Sequence, residues 1–317
     1  MSKMIPRYDE DFFNCYMGHV ISYLKHLDLP VELLFFKCLE STERIYEYFL
    51  VQGGDRWHFP THFLDLNRLG ARIIARHVPT FEEAKPEIQH LIDQGKVVFI
   101  LCDGYYIPHR VESYHNYYQD HNFMLTGYRT NESGTQWFVE DHARPDFYDY
   151  YDESLIRDSY NLAHYPHAHQ FGYFEFDLDQ ARNPDKRAIG QSFAEYVSTY
   201  TDDLSMLDRL LQDCTIHQAD ITQLPGGLQG TERALLYIAS SRELFRRFVT
   251  AYSIEGELAL LLKQSIDLAF GIRALVLRGR VRPIDLHKLE TKCTQLQENE
   301  TAILTTLVRH QQAFVRN

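Results

Sequence analysis

Three residues that lie far apart in the sequence have the types needed for nucleophilic catalysis. Cys15 stands at the start of an amphipathic segment, His121 precedes an apolar segment, and Asp141 ends the next one. A thiol can attack a carbonyl carbon, an imidazole can take its proton, and a carboxylate can fix the tautomer and orientation of the imidazole. We therefore consider Cys15, His121 and Asp141 as a candidate nucleophile, base and orienting residue.

The spacing of His121 and Asp141 predicts that they meet. Residues 122–141, NFMLTGYRTNESGTQWFVED, have the pattern of two strands around a polar turn. A hairpin brings the start of its first strand opposite the end of its second, so the imidazole and the carboxylate are expected at one edge of it. The alternative is that both residues only cap the hairpin, as ordinary surface neighbours of Asp120 and His142.

The environment of Cys15 depends on a helix. Residues 15–27, CYMGHVISYLKHL, carry apolar side chains at helical spacing, and Asn14 is a favoured residue type for the N-cap. A thiol beside the unpaired N–H groups of a first helical turn has a lowered pKa, so we expect Cys15 to react fastest with iodoacetamide near neutral pH. The alternative is a small, packed apolar residue.

Length and composition predict an ordinary globular protein of two domains. The 317 residues are 44% hydrophobic and 24% charged. No apolar run reaches the roughly 18 residues that a membrane span needs, and the first residues carry no signal-peptide pattern, so a cytoplasmic location is expected. The five cysteines are scattered without a CxxC pair, which argues against a disulfide framework or a zinc site, and Cys102 is expected to be buried.

The negative charge is concentrated in the first part of the chain. The formal net charge is −12, of which residues 1–190 carry −11 and residues 191–317 carry −1. An acidic field repels nucleic-acid phosphates and attracts a cationic small molecule. A charge that serves solubility alone is the other interpretation.

The coarse pattern mixes helices and strands up to about residue 185. Segment 31–39 is predicted to be a strand, segment 61–78 a helix, segment 81–95 a helix ended by Gly95, and segments 96–103 and 170–178 strands. The rest is predicted to form about four long helices. The last helix has an apolar stripe that makes a homodimer plausible: Leu286, Leu289, Cys293, Leu296, Leu304 and Leu307.

Two motifs accompany the cysteine helix. DGYYIP matches an Asp-x-Tyr-Tyr-x-Pro motif at Asp103, Tyr105, Tyr106 and Pro108. HNFMLTGY matches His-x-apolar-apolar-apolar-x-Gly-Tyr at His121, Gly127 and Tyr128. Over roughly residues 12–180 the chain resembles the N-terminal domain of the butirosin biosynthesis protein H family, which is related to the papain-like C39 peptidases.

The resemblance implies an α+β fold: a papain-like (C39-like) domain with an antiparallel sheet at residues 1–185, followed by an all-helical domain at residues 186–317. It also implies a cysteine-dependent acyltransferase of natural-product, and more specifically antibiotic, biosynthesis. The acyl or aminoacyl group would leave the pantetheine thioester of an acyl or peptidyl carrier protein, form an acyl-Cys15 intermediate, and pass to an amine-bearing acceptor. No cofactor is implied apart from the phosphopantetheine of the carrier.

Substrate contacts are predicted at Asn14, Tyr16, Asp103, Tyr105 and Tyr106. C39 peptidases usually carry a Gln shortly before the cysteine, and this chain has none there. The oxyanion donors therefore stay open between the Cys15 N–H, the Asn14 side chain and a tyrosine hydroxyl. No metal site is predicted, because the clustered histidines lack an accompanying Cys or HExxH motif: His164, His167 and His169.

Two other functions use the same sequence features. A C39-like peptidase, amidase or thioesterase would employ the same three catalytic residues. A non-catalytic scaffold of a biosynthetic assembly would use the helical half as its interaction surface. In that half, the segments RELFRRF and RALVLRGRVR could offer a basic face to an acidic carrier protein.

Overall fold

The computed structural model describes residues 4–8, 14–54, 59, 64–132, 134–165, 168–216, 226–254, 256–279 and 281–314. These residues form two compact units. The first unit comprises Met1–Leu29 and Leu69–Asn183, and the second comprises Pro30–Arg68 and Pro184–Asn317. The prediction of one boundary between residues 185 and 186 does not account for segment 30–68, which belongs to the second unit.

An antiparallel six-stranded sheet is the frame of the first unit, which confirms the α+β class. The strand order is β1-β6-β2-β3-β4-β5, and every neighbouring pair is antiparallel. β2 lies inside the sheet because its β-branched and aromatic residues are buried on both faces. The strands are β1 (Ala71–His77), β2 (Val98–Asp103), β3 (Asp120–Asn131), β4 (Gly134–Asp141), β5 (Phe147–Asp152) and β6 (Gln170–Phe176).

In the first unit, helices cover the sheet. In the second unit, the regular elements among the described residues are all helical. In the first unit, α1 contacts β3, while α3 and α4 pack on a core that includes the fully buried Trp137. Gly95 follows α3 with a φ of +76°, as predicted for the residue that ends it. The α-helices are α1 (Cys15–His26), α2 (Thr42–Tyr46), α3 (Phe81–Asp93), α4 (Glu153–Asn161), α5 (Leu178–Arg182), α6 (Lys186–Thr199), α7 (Ser205–Ile216), α8 (Gly227–Ala251), α9 (Glu257–Arg278) and α10 (Leu286–Phe314).

Shorter helical turns complete the described elements. They include 3₁₀ turns and one π-helical turn, and two of them lie in segment 30–68. No helix in the described part of the chain has an apolar stretch long enough to cross a bilayer. The turns are Val31–Lys37, Glu47–Val51, Leu66–Leu69 and Gly104–Tyr106.

Two local predictions are wrong. Segment 31–39 forms the 3₁₀ turn Val31–Lys37 instead of a strand. The prediction failed because a short run of apolar residues has no periodicity that distinguishes a strand from a helical turn. Segment 61–78 contains strand β1 instead of a helix. Gly70 adopts a φ of +56°, which breaks a helical path, and the residues after it pair with β6.

Most of the apolar stripe of α10 packs within the second unit. Leu289, Cys293 and Leu296 are fully buried in the core of the second unit, together with residues of α7, α8 and α9. The stripe is therefore explained by packing within the chain. It gives no support to the predicted homodimer.

The basic segment RELFRRF does not form an unpaired basic face either. Arg242 is buried against Glu300 of α10, and Arg246 and Arg247 both bind Glu243 at 2.7 and 2.9 Å. Glu300 balances Arg242, and Arg246 and Arg247 share the single carboxylate of Glu243, so these five residues keep a formal charge of +1. This segment offers a carrier protein little net positive charge.

Candidate active site

The helix that was predicted to position Cys15 begins at that residue. Asn14 adopts an extended conformation, and its Oδ1 accepts a hydrogen bond from the Met17 N–H at 2.9 Å, while its carbonyl accepts one from the Gly18 N–H at 2.9 Å. Cys15 is therefore the first residue of α1. Asn14, which was predicted to contact substrate, serves as the N-cap.

His121 and Asp141 meet as the hairpin predicts. β3 and β4 pair in antiparallel register, so the start of one lies beside the end of the other. The Nε2 of His121 lies 2.5 Å from the Oδ2 of Asp141, and both side chains are buried. The two residues are therefore not surface residues of the hairpin.

Two more histidines surround the same carboxylate. His109 donates its Nε2–H to the Oδ2 of Asp141 at 2.8 Å, and its ring stacks on Phe147 with 4.4 Å between centroids. The Nε2 of His19, from α1, lies 3.2 Å from Oδ1. Sequence reasoning missed both. His109 directly follows the DGYYIP motif and His19 follows Cys15 by one helical turn, and each position was a usable signal.

The electrostatics of the pair suit a carboxylate that orients a neutral base. Burial by itself would raise the pKa of Asp141, but the His121 charge and the hydrogen bonds from His109 and His121 hold that pKa well below its usual value. Burial lowers the pKa of His121, although Asp141 opposes this effect. His121 is therefore uncharged at neutral pH, with its proton on Nε2 and with Nδ1 able to accept one.

The residues around Asp141 are also of types that bind metals. Ligand atoms of His109, His121 and Asp141 lie within 4.8 Å of one another, a spacing that a divalent cation could bridge. Both Nε2 atoms hydrogen-bond to the carboxylate, however, so an ion would have to displace two protons. In the earlier candidate HYPHAHQ, His167 lies outside the described residues.

The sulfur of Cys15 contacts a residue that sequence reasoning did not select. The Nδ2 of Asn122 lies 3.6 Å from Sγ, and the Oδ1 of Asn122 lies 2.5 Å from the Nδ1 of His19. Consecutive residues of a strand point to opposite faces of the sheet. Asn122 therefore points toward α1, and His121 points away from it. Among the described contacts, Cys15 has no direct hydrogen bond to His121. The predicted line of sulfur, imidazole and carboxylate is thus half formed.

The thiol does not have the depressed pKa that the helix start predicts. Burial, with Asp141 as the next cause, raises the pKa of Cys15 to about 12, while backbone N–H groups of Asn122 and Tyr16 lower it only in part. Desolvation and a nearby negative charge both disfavour a thiolate, and here they outweigh the field of the helix. The resting cysteine is therefore a protonated thiol at neutral pH.

The other predicted contact residues have mainly structural surroundings. Asp103 is fully buried, and its Oδ1 accepts hydrogen bonds from the N–H groups of Tyr105 and Gln119, so it offers no exposed surface to a substrate. Tyr16 packs edge-on against Phe99. Tyr105 stays a candidate, since it is half-buried among aromatic neighbours at 4.7 to 5.3 Å: Tyr106, His115 and Tyr118. Cys102, on β2, is buried as predicted.

Comparison with known proteins adds a relative over nearly the whole chain. No family model matches the sequence. A protein of Niallia circulans is 26% identical over 318 residues, which cover 96% of this chain and 98% of that relative. It is a ribostamycin 4-(γ-L-glutamylamino)-(S)-2-hydroxybutanoate transferase whose acyl donor is carried on the BtrI acyl-carrier protein. This similarity confirms the resemblance to the butirosin biosynthesis protein H family and extends it across both halves of the chain.

Proposed function

We propose that this chain is a cysteine-dependent acyltransferase of antibiotic biosynthesis, which moves an acyl or aminoacyl group from a carrier-protein thioester to an amine. The observation that carries the proposal is the similarity to a carrier-protein-dependent transferase over 96% of the chain. The buried His121–Asp141 pair, and Cys15 in contact with Asn122 next to His121, support the proposal because they are of the residue types that such a reaction uses.

In the first step, Cys15 takes the acyl group. Because the thiol is protonated, His121 accepts its proton at Nδ1 while the sulfur attacks the thioester carbonyl, and Asp141 holds Nε2–H and stabilises the imidazolium. The bond between the carbonyl carbon and the pantetheine sulfur then breaks, and the leaving thiolate takes the proton from His121. No described contact joins Cys15 to His121, so this proton transfer requires the two side chains to come within hydrogen-bond reach when substrate binds, as catalytic groups often do.

In the second step, the acceptor amine attacks the acyl-Cys15 carbonyl. His121 takes a proton from the amine nitrogen, the bond between carbon and Sγ breaks, and the Cys15 thiolate recovers a proton. The products are an amide and free cysteine, so a thioester and an amine have been exchanged for an amide and a thiol. The charge of −11 on residues 1–190 favours an acceptor that carries further, protonated amines besides the neutral amine that attacks.

An acyl-pantetheine thioester followed by intact-mass measurement tests the proposal. The wild-type chain should gain the mass of one acyl group, and Cys15→Ala should lose that adduct entirely. The matched control is Cys38→Ala, which removes another half-buried free cysteine and should keep the adduct. Cleavage of peptides without thioester exchange would favour a peptidase, and the absence of any adduct on the wild-type chain would contradict the proposal.

A further inference from the structure

We propose that Asn122 is the side-chain donor of the oxyanion hole at Cys15, a role that rests on the function proposed above. Attack of Sγ on a thioester places negative charge on the carbonyl oxygen, beside the sulfur. Fixed N–H donors at that position are among the largest contributions to acyl-transfer catalysis. In the described part of the chain, the side-chain N–H group that contacts Sγ is that of Asn122, with Nδ2 at 3.6 Å.

The orientation of the Asn122 amide follows from its neighbours. The Nε2 of His19 lies 2.8 Å from the backbone N–H of His142 and 3.2 Å from the Oδ1 of Asp141, so both neighbours fix the position of the ring. The Nδ1 of His19 lies 2.5 Å from the Oδ1 of Asn122, and because an amide oxygen only accepts, Nδ1–H is the donor of this contact. With its oxygen held by His19, the amide turns its NH₂ group toward Sγ.

This donor is held rigidly and away from water. Asn122 is 2% exposed and His19 is not exposed, and they belong to β3 and α1, two regular elements in contact. A donor fixed in a low-dielectric site needs no reorganisation when the oxyanion forms, which is the condition for strong stabilisation. Asn122 thereby takes the place of the Gln that is missing before Cys15.

A second donor is available at the start of α1. The first N–H groups of a helix have no acceptor within the helix, and Cys15 is the first residue of α1. Its N–H and the Asn122 amide form a pair of donors beside the sulfur. Asn14, the candidate from the sequence, uses its amide oxygen for the N-cap, and no described contact joins it to Sγ.

Two reactions of the same thiol separate an oxyanion donor from a residue that only positions the cysteine. Acylation by an acyl-pantetheine thioester passes through an oxyanion, whereas alkylation by iodoacetamide displaces iodide at a saturated carbon and does not. The backbone N–H of Asn122, which lowers the pKa of the thiol, is retained in substitutions, whereas the Nδ2–H that contacts Sγ is lost, so alkylation measures the effect of that loss on the thiolate alone. We therefore measure both rate constants at Cys15 by mass spectrometry in Asn122→Ala and Asn122→Leu.

In both variants we expect acylation to fall about 10²- to 10³-fold. Alkylation should stay within about threefold, since it follows the thiolate fraction. Asn122→Leu keeps the branched shape and the number of heavy atoms of the amide side chain, so it provides a second test if Asn122→Ala fails to fold. The matched control is Asn116→Ala, at an exposed asparagine of the same unit, which should change neither rate.

Each other outcome overturns the inference. An equal fall of acylation and alkylation in a variant with a native circular dichroism spectrum would show that Asn122 only positions the thiol. Unchanged acylation would show that the amide does not face the oxyanion. If Cys15 of the wild-type chain is alkylated by iodoacetamide but is never acylated by the thioester, the proposed function is wrong, and the role of Asn122 that rests on it is wrong as well.

Discussion

Asp141 in the first unit and Glu300 in the second are both buried carboxylates, and their partners differ in one chemical respect. Asp141 lies among three imidazoles, those of His19, His109 and His121. Glu300 receives the guanidinium of Arg242. Burial disfavours a carboxylate charge in both units, so each needs compensation from its surroundings.

In the second unit, the positive charge that compensates the Glu300 carboxylate is permanent. Arg242 donates from Nε and Nη2 to Glu300 at 2.8 to 3.3 Å, and from Nη1 to the carbonyl of Glu40 at 2.6 Å. The negative charge of Glu300 raises the pKa of Arg242, although burial opposes it, so the guanidinium does not lose its proton. This pair therefore ties α8 to α10 and offers no proton for chemistry.

In the first unit, the charge on the imidazoles that surround the Asp141 carboxylate can change. An imidazole gains or loses a proton near neutral pH, and the described surroundings of Asp141 put one such ring, His121, in a neutral and oriented state. A thiol, an amide and a helix start lie in the same unit. The comparison separates a buried carboxylate whose partners can titrate, which is the one proposed to take part in catalysis, from a buried carboxylate whose partner cannot.

The largest expected effect is the loss of chemistry on changing Asp141. In Asp141→Asn the amide cannot stabilise an imidazolium, and its NH₂ group disturbs the tautomer of His121. We expect Cys15 acylation to fall about 10²- to 10⁴-fold. Single-turnover acylation followed by intact mass measures this fall, with Glu300→Gln as the control from the second unit. A similar fall in both variants would erase the distinction between the two carboxylates.

The next effect is a loss of stability on breaking the other pair. Glu300→Gln leaves the buried Arg242 charge uncompensated, which should reduce the free energy of unfolding by about 3–5 kcal/mol. Replacing both residues by Met should restore most of that loss, since an apolar pair carries no buried charge. Denaturant unfolding measures both. A loss below about 1 kcal/mol for the single change would show that the Arg242–Glu300 pair is not a structural tie.

The smallest effect concerns pH and the accessible thiol. Because the pKa of Cys15 is about 12, its thiolate fraction, and with it the rate of iodoacetamide alkylation, should rise about tenfold per unit between pH 7 and 9. Cys214 of the second unit has a pKa raised only to about 11 but is fully buried, so it should react more slowly than Cys15. A rate that levels off near neutral pH would instead indicate a Cys15–His121 ion pair.

Local pattern was sufficient for the elements that carry the proposed catalytic residues. The alternating and turn residues of segment 122–141 predicted the hairpin, and the apolar spacing after Asn14 predicted α1. Pattern failed where a short apolar run had no period of its own, as in segment 31–39, and where pairing with a distant strand decided the conformation, as in β1. The stripe on α10 was predicted correctly as apolar, but its packing within the second unit was not predicted, since burial within a unit has no local signature.

The sequence by itself determined the residue types, the start of α1 and the pairing of His121 with Asp141, because these depend on neighbours or on one hairpin. Only the tertiary structure decided that His19 and His109 share the surroundings of Asp141, that Asn122 contacts Sγ, and that the thiol pKa is raised. Desolvation and hydrogen bonding across elements depend on which side chains from distant segments surround a group. No local pattern encodes that arrangement.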